Sequence, residues 1–166
     1  MKIDTPVRAI TIGGILTVLI LLLQSAPAWL HGVGLLLSPL ATLPIALAAI
    51  LSIPLGAVVY IAAAFLLMII IPQEAAIFLL GTGLLGLSLG VCHKKETLQR
   101  ILIPATALFI GMVFLTKLAL IPVFGAFTPQ SLGIELLVFL PFSLVYTGVW
   151  VVIIRYAVPL MDRIRR

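Results

Sequence analysis

The chain reads as an all-α polytopic membrane protein, a single transmembrane domain of six helices over residues 1–166. Three observations predict this. Of its residues 63% are hydrophobic and 9% charged, with a mean hydropathy of +1.37, which leaves a water-soluble fold without a polar surface. Proline, glycine and charged residues divide the chain into six apolar stretches, each near the roughly 20 residues a helix needs to cross the hydrocarbon core. Positive charge gathers on one side of the resulting layout.

The first stretch, Val7 to Gln24, follows Asp4-Thr5-Pro6, where a side-chain oxygen caps free N–H groups and proline sits in the first turn. Lys2 and Arg8 ahead of an apolar run imitate a secretory leader. The run is longer than a leader core, however, and proline follows the small residues of Gln24-Ser25-Ala26-Pro27, so it reads as a retained span. The second and third stretches, Val33 to Leu51 and Leu55 to Ile71, are parted only by Ser52-Ile53-Pro54, which predicts a tight antiparallel hairpin. Pro72-Gln73-Glu74 precedes the fourth, Ala75 to Cys92, which His93-Lys94-Lys95-Glu96 ends. The fifth runs from Leu102 to Ile121, and the sixth, Leu132 to Val158, is long enough to tilt or to kink at Pro141. Cys92 is the single cysteine and reads as a buried apolar thiol with no disulfide partner.

Positive residues are retained in cytoplasmic loops, and a wrong helix count would scatter them over both faces. Lys2 and Arg8, then Lys94, Lys95 and Arg100, then Arg155, Arg163, Arg165 and Arg166 all fall on one side of a six-span layout. The opposite loops, near Ala26 to Gly32, Gln73 to Glu74 and Gly125 to Ser131, hold no lysine or arginine. This places both termini in the cytoplasm and the chain, as a multi-pass protein, in the inner (cytoplasmic) membrane. The net charge of +5 then reports topology and attraction to anionic membrane lipid, and no nucleic-acid partner is implied.

Helices in lipid associate through close backbone approach, which small residues permit. In the fourth span Gly83, Gly86 and Gly90 share a face with Gly81 nearby, and in the first Ala9 and Gly13 are four apart beside Gly14, with Thr17 a turn on. Packing inside the bundle and docking of a partner are both open for these faces.

The two histidines, His31 and His93, fall on opposite faces of the membrane, so no metal cluster forms from them. The sequence holds no HExxH, P-loop, GxSxG or paired-carboxylate motif within a span, which argues against an enzyme and implies no cofactor. The informative polar residues are Lys117 and Glu135, since an ionisable side chain at helix centre costs about 2.5 to 3.5 kcal/mol on insertion scales. Lys117 lies on the order of 20 Å along the fifth helix from its cytoplasmic entry, level with Glu135 in the first turn of the sixth. They either pair with each other or jointly face a ligand. Trp29, His31, Gln73, Glu74, Thr128 and Gln130 are placed to form a polar rim over an apolar outer cavity. Each also has a plainer role: Trp29, Trp150 and Tyr156 suit the interfacial aromatic belt, and Glu74 after Pro72 suits a helix cap.

The pattern resembles the substrate-binding S components of energy-coupling factor (ECF) transporters, six-helix membrane proteins of about this size with cytoplasmic termini. The resemblance spans nearly the whole chain. Leu43-Pro44-Ile45-Ala46-Leu47-Ala48-Ala49-Ile50-Leu51 followed by Ile53-Pro54-Leu55-Gly56-Ala57 is similar to the family's second-to-third helix hairpin. Ala9-x-x-x-Gly13 fits the first-helix Ala-x-x-x-Ala motif that docks on the transmembrane coupling subunit, with glycine in place of the second alanine. The third helix reads Ala62-Ala63-Ala64-Phe65-Leu66 where many S components carry an acidic residue.

The resemblance implies an S-component-like bundle that captures a small metabolite or vitamin-like solute from the outer face. Lys117, Glu135, Gln73, Glu74 and Trp29 are the ligand-binding candidates, and Ala9 and Gly13 the contacts to a coupling subunit with its ATPases. The few polar groups suggest a small or rather apolar ligand, or a member without one. The helical layout is also similar to the rod-shape determinant MreD, which implies the alternative of a non-transporting membrane scaffold.

Overall fold

The computed structural model describes residues 6–118, 120–121 and 131–164, the side chains of His31, Leu132 and residues 160–164 excepted. Among the described residues there is no strand, and six helices are long and apolar enough to cross a membrane. They are α1 (Pro6–Leu30), α2 (Gly32–Leu51), α3 (Ile53–Ile70), α4 (Pro72–Cys92), α5 (Thr97–Lys117) and α6 (Leu132–Ile164). Asp4 and Thr5, expected to cap α1, lie outside the described residues, as do Thr128, Gln130 and the His31 side chain.

The helix ends differ from the sequence expectation chiefly in α1. Gln24 was expected to close the first span before a loop from Ala26 to Gly32, but helical conformation runs on to Leu37. A side chain at Gly34 would nevertheless meet the Ala26 carbonyl, so the chain doubles back between Pro27 and Gly34 in a bend with no open loop. Glycine allows that approach, and Pro27 gives up its one N–H bond where the helix bends anyway. Polarity at Gln24 marks an interior position, since its side chain is fully buried.

Elsewhere the differences are shorter. Ser52 caps α3, its hydroxyl accepting from the Leu55 N–H at 3.2 Å, so helix begins at Ile53. Pro72 starts α4 three residues before the expected Ala75. Helix α5 stops at Lys117 instead of Ile121, where Leu120 adopts a left-handed φ of 53°. Helix α6 passes through Pro141 and Pro159 and outlasts the expected end at Val158.

Helices α2 and α4 are central: half of the membrane-length stretch in each is buried, against 17% in α1. One apolar cluster joins Ile20 of α1, Ile45 of α2, Val59 and Leu67 of α3 and Phe78 of α4. A second joins Ala46 of α2, Leu85 and Leu89 of α4, Leu108 and Met112 of α5, and Phe139 and Trp150 of α6. Since α2 contributes to both, it is the partition between them. Trp150, expected in the interfacial belt, is buried in the second cluster with its ring edge toward Tyr146 at 6.4 Å; Tyr156 is exposed. The exterior is apolar, with Leu22, Phe65, Ile69, Leu137 and Val145 all exposed, as a lipid-facing surface requires.

Close approach at glycine sets the central spacing. A Cβ at Gly86 would lie 2.6 Å from the Thr42 carbonyl oxygen, and one at Gly56 would lie 2.6 Å from Ala49 Cα. One at Gly90 would meet the Ala49 side chain. Helices α3 and α4 therefore touch α2 backbone to backbone. The glycine face of α4 at Gly86 and Gly90 serves packing within the bundle.

Alternating helix directions sort the charge. Among the described residues Arg8, Lys94, Lys95, Arg100 and Arg155 lie at one end of the bundle, with Glu96. Glu74, Lys117 and Glu135 lie toward the other.

Backbone contact at Gly86 and open space at Gly14, where a Cβ meets nothing within 4 Å, predict opposite outcomes. Gly86→Ala should cost about 1–3 kcal/mol by forcing α2 and α4 apart. Gly14→Ala should be neutral or gain up to about 1 kcal/mol in helix propensity. Thermal unfolding of the two variants in the same detergent checks the ordering.

Candidate functional site

A long-range polar network among the described residues joins α1 to α4. Gln24 donates from Nε2 to Glu74 Oε2 at 2.9 Å, and Thr82 donates from Oγ1 to Gln24 Oε1 at 2.8 Å. Gln24 therefore spends its amide on both partners, as a buried amide must to offset its desolvation.

A local change of helix type lets α4 present both partners on one side. Residues Phe78–Thr82 form a π turn. In an unbroken α-helix, side chains eight apart would differ by roughly 80° in azimuth, and the extra residue of a π turn reduces that to roughly 20°. Glu74 and Thr82 then both reach Gln24. The wider turn is supported from outside, since Tyr60 of α3 donates its hydroxyl to the Leu79 carbonyl at 2.7 Å and packs its ring 5.6 Å from Phe78. On the other side Gly111 of α5 lies against the Leu80 carbonyl.

Beside this network lies a cavity of about 240 Å³ bounded by all of the helices except α3. Its polar wall is Glu74, Thr82, Ser38 and Tyr146, and its apolar wall includes Pro27, Leu108, Met112 and Phe142. Gly81, buried in the π turn, lines it, and a Cβ there would meet no atom within 4 Å. The volume is slightly below that of drug-sized ligand sites, and the few convergent polar groups in an apolar wall are what orient a small solute.

The five ligand-binding candidates are thus divided. Glu74 is at the cavity wall and bonded to Gln24; it makes no capping bond at the start of α4. Lys117 and Glu135 form an ion pair at 3.0 Å that ties the end of α5 to the first turn of α6, outside the cavity lining. Gln73 is exposed on the first turn of α4, and Trp29 is 71% exposed near the end of α1. Neither lines the cavity, so the expected polar rim is not assembled by these two. Gln24, Thr82, Ser38 and Tyr146 were missed. The available signal is Gln24 itself, an amide at the end of an otherwise apolar run, where hydropathy alone reads a span boundary.

Ala9 and Gly13, the partner-docking candidates, line a different feature. With Gly14, Thr17, Leu55 and Val58 they form a groove of about 640 Å³ on the outer surface between α1 and α3. Thr17 does not make this groove polar, because its hydroxyl donates to the Gly13 carbonyl at 2.8 Å.

No protein-family model, curated protein or solved structure matches this chain.

Burial makes the ion pair asymmetric. Glu135 is 1% exposed and neither of its oxygens has an aligned hydrogen bond among the described residues, whereas Lys117 is 37% exposed and reaches the surface. Lys117→Met should therefore destabilise by about 2–4 kcal/mol, because it strands a buried carboxylate. Glu135→Gln should cost less, since the freed ammonium can extend to the interface. The double variant should recover most of the Lys117→Met loss in thermal unfolding, and equal single losses would contradict this asymmetry.

Proposed function

We propose that this chain is the solute-capture subunit of an energy-coupling transporter, binding a small, largely apolar metabolite in the cavity beside Glu74 and Thr82. The cavity carries the reading: it is lined by five helices, has a defined polar wall, and lies toward the end of the bundle away from Arg8, Lys94, Lys95, Arg100 and Arg155. By retention of positive charge, those residues and both termini are cytoplasmic, so the cavity faces outward in the inner membrane. The chain resembles S components in its Ala9-x-x-x-Gly13 segment and in the Ser52-Ile53-Pro54 hairpin.

In this reading the groove over Ala9, Gly13 and Gly14 receives a helix of the transmembrane coupling subunit. Small residues there allow close approach, and close approach is what holds helices together in lipid. ATPases on that subunit supply the energy. Capture outside and release inside would follow from rocking of the whole bundle against its partner.

A second reading, a non-transporting scaffold of MreD type, is favoured by the internal Lys117–Glu135 pair, which assigns the two charged helix-end residues to stability. The two readings separate at two glycines. Gly81→Leu fills the cavity, and Gly14→Leu fills the groove, each where a Cβ meets open space.

For a capture subunit, a metabolite panel should contain at least one compound that raises the unfolding temperature of the purified protein. Gly81→Leu and Glu74→Ala should abolish that shift, and Gly14→Leu should preserve it while losing co-purification of ATPases from native membranes. No stabilising compound and no co-purifying ATPase would sink the transport reading, and wall-synthesis proteins lost from the Gly14→Leu pull-down would establish the scaffold.

A further inference from the structure

At the opposite end of the bundle a second cavity, of about 200 Å³, opens where α4 ends, α5 begins and α6 nears its end. Its polar lining is wholly basic: His93 from α4, Arg100 from α5 and Arg155 from α6. Leu89, Val151 and Ile154 are part of its apolar wall, and among the described side chains no carboxylate lines it. Two arginines and a histidine from three separate helices therefore converge on one small volume, and repulsion between the two guanidinium groups opposes this unless an anion is there to offset it.

The arginine from α5 is held for that role. Arg100 donates from Nη2 to the Lys95 carbonyl at 3.2 Å, which fixes the plane of the guanidinium. Its Nε is sealed from solvent and has no hydrogen-bond partner among the described residues. A buried donor on a charged group costs free energy when left unmatched, and no described group offsets that cost. His93 contributes from the other side, its Nδ1–H donating to the Gly90 carbonyl at 2.9 Å, which orients the ring. Neither Arg100 nor Arg155 has an ion-pair partner among the described residues.

We infer that this pocket binds a phosphate group, held between the guanidinium groups of Arg100 and Arg155 with His93 beside them. Two planar forks suit tetrahedral phosphate oxygens better than a single carboxylate, because each fork can donate two parallel bonds. The phosphate has two possible sources, an anionic phospholipid headgroup or a soluble phosphate ester. The site is at the charged end of membrane-spanning helices, and its apolar wall continues into the bundle, so the lipid headgroup is favoured. This inference stands independently of the solute cavity at the other end.

The test uses the full chain purified in a neutral detergent and measures unfolding temperature and bound mass by native mass spectrometry. Phosphatidylglycerol, phosphatidylcholine and inorganic phosphate are added in turn. Phosphatidylglycerol should stabilise and remain bound where phosphatidylcholine does not, and R100Q/R155Q should weaken its apparent affinity about tenfold or more. K94Q/K95Q, which removes the same charge from exposed neighbours, should change it less than about threefold. If the double arginine variant does not fold, R155Q alone, at an exposed position, carries the comparison. Stabilisation by inorganic phosphate that is equally lost in the arginine variant would support the site and assign it to a soluble phosphate. Equal response to the two lipids with none to phosphate, or equal loss from the lysine and arginine pairs, would overturn it.

Discussion

Everything in this bundle depends on how closely α2 can be approached by its neighbours. Lipid offers helices no hydrophobic gain for coming together, so association has to come from contact between backbones and from polar groups that find partners. At Gly56, Gly86 and Gly90 the missing Cβ atoms let α3 and α4 reach the backbone of α2. Without that approach the two apolar clusters on either side of α2 would have no common wall.

The same helix that packs most tightly also opens the cavity. Over Gly86 and Gly90, α4 lies against α2; one to two turns earlier, the π turn at Phe78–Thr82 widens it, and Gly81 faces empty volume. A π turn is an unfavourable insertion in an isolated helix, and here it is upheld by the Tyr60 hydroxyl on the Leu79 carbonyl. Its consequence is to bring Glu74 and Thr82 to one side, where Gln24 joins them. Several threonines within the spans are settled locally. Thr11, Thr17, Thr106 and Thr116 each donate to the carbonyl four residues earlier, so they add little polarity to the exterior.

Much of this was legible along the chain. Apolar length located the six spans, Ser52-Ile53-Pro54 marked the hairpin, and the shared face of Gly83, Gly86 and Gly90 marked a surface for packing or docking, of which Gly86 and Gly90 pack on α2. Lys117 and Glu135 stood out as costly charges at matching depth, and they meet at 3.0 Å. The candidate site was legible only at Glu74. Gln73, one residue before it, points to a different environment because neighbouring helical positions lie about 100° apart. Trp150 looked interfacial from its distance to the chain end, yet its azimuth on α6 turns it into the core.

By itself, then, the sequence determined class, span count and the segregation of basic residues to one end, because hydropathy and charge act on each segment through the membrane independently of its neighbours. Tertiary structure alone decided that Gln24 would meet Glu74 and Thr82, residues 50 and 58 positions away, and that Gly81 would border a void while Gly86 bordered backbone. Those outcomes depend on helix azimuth and on one inserted turn residue. A rotation of about 100° exchanges lipid for interior without altering the composition of the segment, so local pattern carries no record of it.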